Sequence, residues 1–176
     1  MAAPALLLSL PALAQAPYRA TDATVKFAGR VTLIPVNGTA DALSSATSLD
    51  FANLNATKAM VSVDLTTLKT GIGLRDQHAK EALGAAEHPQ AVFTLNSFTG
   101  ASSIAAGQTL KGQVTGTFAL KGMTKPLTAP VTLTRTGDRL NVSTEFVIHP
   151  HEHGVVVRGA DQTTTVTVNF SLTPGS

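Results

Sequence analysis

The chain of 176 residues contains no cysteine. That excludes a disulfide framework, a Cys-based zinc site and a thiol nucleophile. Tryptophan is also absent, and aromatic residues make up only 5%. Charge is sparse at 14%, with 13 basic against 11 acidic residues. So small an imbalance supplies no basic stripe for a phosphate backbone, which argues against a nucleic-acid partner. The sequence has no GxSxG elbow, no phosphate-binding glycine loop, no HExxH pair and no dinucleotide fingerprint. Acidic residues are scattered, and no carboxylate pair suggests acid–base catalysis. The chain therefore reads as a non-enzyme without a cofactor.

Threonine and apolar residues fill the space left by these absences. There are 25 threonines, and 43% of the residues are hydrophobic. A chain rich in Thr and Val and poor in charge favours strands over helices. It is too apolar and too weakly charged for disorder. Its length suits one domain with a core of its own.

The one continuous apolar run lies at the start. Ala5 to Ala14 reads ALLLSLPALA, too short to span a bilayer but suited to the apolar region of a secretory signal. Small residues at Ala12, Ala14 and Ala16 offer two cleavage frames. Pro17 disfavours the second, so cleavage is expected after Ala14, leaving residues 15–176 as a single exported domain. No other stretch is apolar enough for a transmembrane helix. The expected location is periplasmic or secreted.

Period-2 alternation runs through the rest. In Leu110–Leu120, Leu110, Gly112, Val114, Gly116, Phe118 and Leu120 share one face, as in a half-buried strand. Leu127–Arg135 repeats the pattern with Val131 and Leu133 inward, Leu140–Ile148 with Phe146, and the last strand with Val166, Val168, Phe170 and Leu172. Earlier strands are expected at Thr24–Thr32, Ser48–Leu54, Ala59–Leu65 and Val92–Phe98. Asn37-Gly38, Lys121-Gly122 and Gly137-Asp138 read as turns. One stretch differs: Leu74–Leu83 consists of good helix formers and ends before Gly84. The pattern predicts an antiparallel sandwich or closed barrel with one short helix at about residues 74–83, near one end.

Three groups of residues are candidates for function. Arg75 and His78 lie three apart on the helix, where they could hold a phosphate head group or serve packing and ion pairing. His149, His151 and His153 would share a face of an extended strand and could bind zinc or copper. Pro150 weakens that geometry, and a polar strand end is the plainer alternative. Gly112 and Gly116 face inward and leave room for neighbouring backbone or for a ligand.

The stretches VDLTTLKTGIGLRDQHAKEAL, HPQAVFTLNSF and GQVTGTFALKGMTKPLTAPVTL together resemble the YceI-like family. Arg75, Asp76 and His78 carry the match, followed by Pro89, Phe93, Gly116, Gly122, Thr124, Lys125 and Pro126. Ala79 and His88 depart from the family pattern, which has Leu and an aromatic there. The resemblance implies an all-β, antiparallel, lipocalin-like barrel of about eight strands, exported, with a polyisoprenoid chain inside. On that reading Leu110, Val114, Phe118, Val131, Leu133, Phe146, Val168 and Phe170 line the interior. Gly112 and Gly116 give the ligand clearance, and Arg75 and His78 meet its polar end. The expected partner is an apolar lipid such as a polyprenyl chain or isoprenoid quinone; a homodimer stays open. The alternatives are a metal-binding envelope protein using His149, His151 and His153, and a structural or stress-response envelope protein whose barrel is filled by its own side chains.

Overall fold

The computed structural model describes residues 15–41 and 43–175. The segment read as a signal, residues 1–14, lies outside the described residues. Nine strands form one sheet: β1 (Ala16–Val31), β2 (Ile34–Ala40), β3 (Leu43–Leu49), β4 (Lys58–Asp64), β5 (Gln90–Thr99), β6 (Thr109–Leu120), β7 (Met123–Thr136), β8 (Arg139–Ile148) and β9 (Thr164–Pro174). The sheet order is β2-β1-β3-β4-β5-β6-β7-β8-β9, and β1 also pairs with β9. That last ladder closes the sheet into a barrel. β2 and β3 hold a common register against β1, with Val25 opposite Ala40 and Tyr18 opposite Thr47. They act as one strand interrupted between Ala40 and Leu43. The result is the closed, eight-stranded antiparallel barrel that the sequence predicts.

Closure needs bending. The β1–β9 register shifts between Thr21 and Thr24, where Asp22 has a φ of 52°, and the β5–β6 register shifts between Leu95 and Ser97. Such bulges bend a strand and raise its twist.

Two expectations are corrected. Asn37-Gly38 is not a turn but the middle of β2, with Gly38 opposite Phe27. A Cβ on Gly38 would run into the Phe27 ring, so this glycine makes room for an aromatic neighbour. The turn falls instead at Thr32-Leu33, both with positive φ. The strand expected over Ser48–Leu54 ends at Leu49, because Asp50 begins a turn. Its side chain accepts a hydrogen bond from the Ala52 amide at 2.8 Å, and its carbonyl accepts one from the Asn53 amide at 3.1 Å, the local bonding by which Asp favours turns.

The helix α1 (Gly73–Ala82) forms as predicted, and Gly84 follows it with a φ of 64°. Leu74 is 64% exposed, while Arg75, His78, Ala79 and Ala82 face the barrel interior. The inward face thus follows the i, i+3, i+4, i+7 spacing from Arg75.

The two barrel ends differ. At one end Tyr18 packs edge-on against Phe51, with ring centroids 5.8 Å apart. The Arg135 guanidinium lies 3.8 Å above the Phe51 ring, and its Nη1 donates to the Ile104 carbonyl at 2.9 Å. Ile104 is 2% exposed and Leu54 is equally buried. This apolar plug with one cation–π contact closes that end. At the other end lie α1, the β1–β2 and β6–β7 hairpins and the segment between β8 and β9.

Glycine substitutions test this packing. Gly116→Ala drives a Cβ into the Thr94 carbonyl oxygen of the neighbouring strand and places it 2.8 Å from the Phe93 ring, and it should destabilise the barrel by at least about 1–3 kcal/mol through overpacking. Gly73→Ala, with nothing within 4 Å, should instead be neutral or stabilising by up to about 1 kcal/mol. Urea denaturation of both variants reads the difference in sign.

Candidate ligand cavity

The barrel encloses a cavity of about 930 Å³, near the upper end of the range for small-molecule sites. It is lined mainly by aliphatic and aromatic side chains, with polar and charged groups such as Arg30, Arg75, His78 and Asp161 at the mouth. The alternation that buries one face of each strand points that face at the cavity, since a closed sheet has only one inside.

Seven of the eight residues expected inside border this space. Val114 and Phe118 do so from β6, Val131 and Leu133 from β7, Phe146 from β8, and Val168 and Phe170 from β9. Leu110 does not; it pairs across the ladder with Leu133 and packs into the core cluster that includes the plug. The cavity also takes Val25, Phe27, Leu43, Val61 and Val63 from the first four strands. Val61 and Val63 could have been found from their alternation in β4. Thr47 and Thr57 add hydroxyls to the wall. Thr47 is buried and hydrogen-bonds Ser45, whereas the buried Thr57 hydroxyl has no partner among the described residues.

The inward glycines leave a space that aromatic rings fill. A Cβ at Gly112 would lie 2.6 Å from the Phe98 ring, and one at Gly116 would lie 2.8 Å from the Phe93 ring. Phe93 and Phe98 border the cavity in their place. The Thr99 and Thr94 carbonyls of the neighbouring strand crowd the same two positions, so the clearance expected for a ligand belongs to the protein's own backbone and aromatic rings.

Arg75 and His78 come together at the mouth, both bordering the cavity from α1. Arg75 is partly committed. Its Nη2 donates to the Thr70 carbonyl at 2.8 Å and its Nε to the Thr70 hydroxyl at 3.0 Å. Thr70 in turn donates to Asp76 Oδ1, from its amide at 2.6 Å and from its hydroxyl. This Arg75–Thr70–Asp76 knot anchors the first turn of α1. The two Thr70 bonds hold the Asp76 carboxyl below the usual carboxylate range, assisted by Lys80 and Arg75. Asp64, which caps the 3-10 turn Leu65–Thr67, is lowered by the same kind of bonding from Thr66.

The three histidines do not converge. His153 is buried, with Nδ1 2.9 Å from the Met123 carbonyl and its ring edge-on to Phe118 at 5.5 Å. His149 and His151 stack edge-to-face with centroids 5.9 Å apart, and only His151 of the three borders the cavity. The cause is Pro150, which opens a 3-10 turn over Pro150–His153 and breaks the strand geometry that would have aligned them. Among the described residues no cluster of three His, Cys, Asp or Glu side chains could hold a metal ion.

The sequence matches the YceI-like domain over residues 18–173. The chain belongs to this family. The YceI-like barrel superposes on the crystal structure of BcnA from Burkholderia cenocepacia with a TM-score of 0.72 and 17% identity, covering 85% of this chain and 95% of that one. A polyisoprenoid-binding domain from Saccharophagus degradans, implicated in plant cell wall breakdown, gives a TM-score of 0.73 and 17% identity over 92% and 99% of the two chains. The Campylobacter jejuni YceI protein gives 0.61 and 16% over 80% and 86%. At these identities the likeness is one of fold. No curated protein matches the sequence.

The knot at the mouth should be visible in acid. The folded pKa of Asp76 is depressed, so its contribution is complete above the unfolded value of about 3.9. It is lost as pH falls through the lower folded value. Asp76→Asn should lower the melting temperature at pH 7 and flatten the acid arm of stability against pH, measured by thermal melts from pH 7 to pH 2.

Proposed function

We propose that this YceI-like protein is an exported lipid carrier that holds an apolar amphiphile, a polyisoprenoid or isoprenoid quinone, inside its barrel. The observation that carries the reading is the cavity: about 930 Å³, apolar along its length, plugged at one end by Tyr18, Phe51 and Ile104 and bordered at the other by Arg75 and His78. A prenyl tail buried there leaves water, at roughly 25 cal/mol per Å² of apolar surface. The tail points toward Leu54 and the plug. The polar end stays at the mouth, where Arg75 and His78 meet it and part of the guanidinium is already fixed by Thr70.

Binding rather than catalysis is the function. Among the described residues the cavity wall carries threonine hydroxyls, and the charged groups that border it, Arg30, Arg75 and Asp161, lie at the mouth. Export is supported by the apolar run ALLLSLPALA ahead of β1. The polyisoprenoid-binding neighbour adds support for the ligand class.

Solvent extraction of the natively purified protein, followed by mass spectrometry, should recover a prenyl lipid in near-stoichiometric amount; a barrel that yields none refutes the reading. Ala129, 2% exposed and on the cavity wall, offers a blocking site. Ala129→Trp should cut recovered lipid by roughly ten-fold or more while costing the fold no more than about 1–3 kcal/mol. Arg75→Gln should weaken binding of a prenyl phosphate more than that of the matching prenol, by about ten-fold, the scale of one charge-assisted hydrogen bond.

A further inference from the structure

Two loops at the mouth expose apolar side chains to solvent, and in one of them the backbone disfavours the residue as well. The β1–β2 turn sets Thr32 and Leu33 at φ values of 48° and 68°. A two-residue hairpin turn with both φ positive strongly prefers Asn and Gly. Leu in the left-handed region is strained. Leu33 nonetheless occupies it at 87% exposure, with Ile34 beside it at 62%. The segment between β8 and β9 adds Val156 at 83% and Val157 at 41%.

The two loops are fastened together. The Thr32 amide donates to the Gly159 carbonyl at 2.6 Å, Val31 bridges to Ala160, and the Asp161 amide donates to the Arg30 carbonyl at 2.9 Å. The four apolar side chains therefore form one rim. Ile34, Val156 and Val157 also border the cavity, so the rim continues the apolar interior out to the surface. Arg30 and Arg158 flank it, both exposed. Neither belongs to the ion pairs formed among the described residues. Asp161 is the only acid in residues 29–39 and 155–163.

We propose that this rim docks on a lipid bilayer. Leu33, Ile34, Val156 and Val157 enter the boundary between head groups and acyl chains, and Arg30 and Arg158 meet anionic phosphates. An apolar ligand then passes between bilayer and cavity without crossing water, a purpose that rests on the carrier reading above. A second copy of the chain fits the rim less well. Four aliphatic side chains expose on the order of a few hundred Å², against about 800 Å² per partner in a stable interface. A strained leucine at a solvent-facing tip is accounted for by insertion, because the bilayer repays what the turn loses.

The absence of cysteine makes a single-label experiment direct. A polarity-sensitive fluorophore is attached to Leu33→Cys, to Val156→Cys, or to Asp138→Cys at the plugged end. Each full-length protein is mixed with vesicles of phosphatidylethanolamine and phosphatidylglycerol. The labels at 33 and 156 should shift to the blue and the label at 138 should not. In co-sedimentation, Leu33→Gly combined with Val156→Ser should bind these vesicles roughly ten-fold less than wild type, the scale of two lost aliphatic insertions. Leu33→Gly alone should raise thermal stability, since glycine suits the turn. That separates lost docking from lost folding. Arg30→Gln with Arg158→Gln should abolish the preference for phosphatidylglycerol over phosphatidylcholine vesicles. Unshifted labels at 33 and 156, vesicle binding unchanged in the Gly/Ser variant, or a wild-type dimer dissolved by that variant in analytical ultracentrifugation would each overturn the proposal. Vesicle docking without extractable lipid refutes the carrier and keeps the docking; extractable lipid without docking does the reverse.

Discussion

The ladder between β1 and β9 is the constraint on which the molecule depends. It runs from Tyr18 opposite Pro174 to Ala28 opposite Thr165, and it joins the first strand to the last. Without it both strands would offer unpaired edges, and an open sheet has no inside. With it, the alternation along each strand sorts side chains into two sets, one facing water and one facing a single enclosed volume. The bulge between Thr21 and Thr24 lies within this ladder, where the strand must bend to close the circle.

Closure alone would give a tube, and the asymmetry of the ends makes it a vessel. At one end Arg135 holds Phe51 from above and the Ile104 carbonyl from the side, so one cation organises a loop, a turn and a strand. At the other end the backbone is used differently. The Arg75–Thr70–Asp76 knot sets α1 beside the opening, and His153 ties the β8–β9 segment to the β6–β7 hairpin through the Met123 carbonyl. Polar bonding thus holds the rim in shape while the interior stays apolar.

The scarcity of aromatics also gains a physical meaning. The phenylalanines Phe27, Phe93 and Phe98 lie against Gly38, Gly116 and Gly112. The missing Cβ on each glycine leaves the ring room over the neighbouring strand. Aliphatic side chains cover most of the remaining wall. The cavity is the volume that a larger aromatic content would occupy.

Much of the barrel was legible in the chain. Strands β6 to β9 announce themselves by alternation, because each has one wet face and one dry face. The helix is marked by its composition and by Gly84. The family was legible through the ordered motif around Arg75, Asp76 and His78. Alternation shows which side chains point inward but not how they share the inside. Leu110 and Val114 lie on the same face of β6, yet only Val114 reaches the cavity. Asn37-Gly38 carries a turn signal, but Phe27 on the facing strand claims the glycine. The histidines at 149, 151 and 153 share a parity that Pro150 dissolves. Local sequence determined the strands, the helix and the apolar face; long-range pairing decided the closure, the plug, the exposed rim and the cavity, because each is made by residues that meet only when the ends of the sheet join.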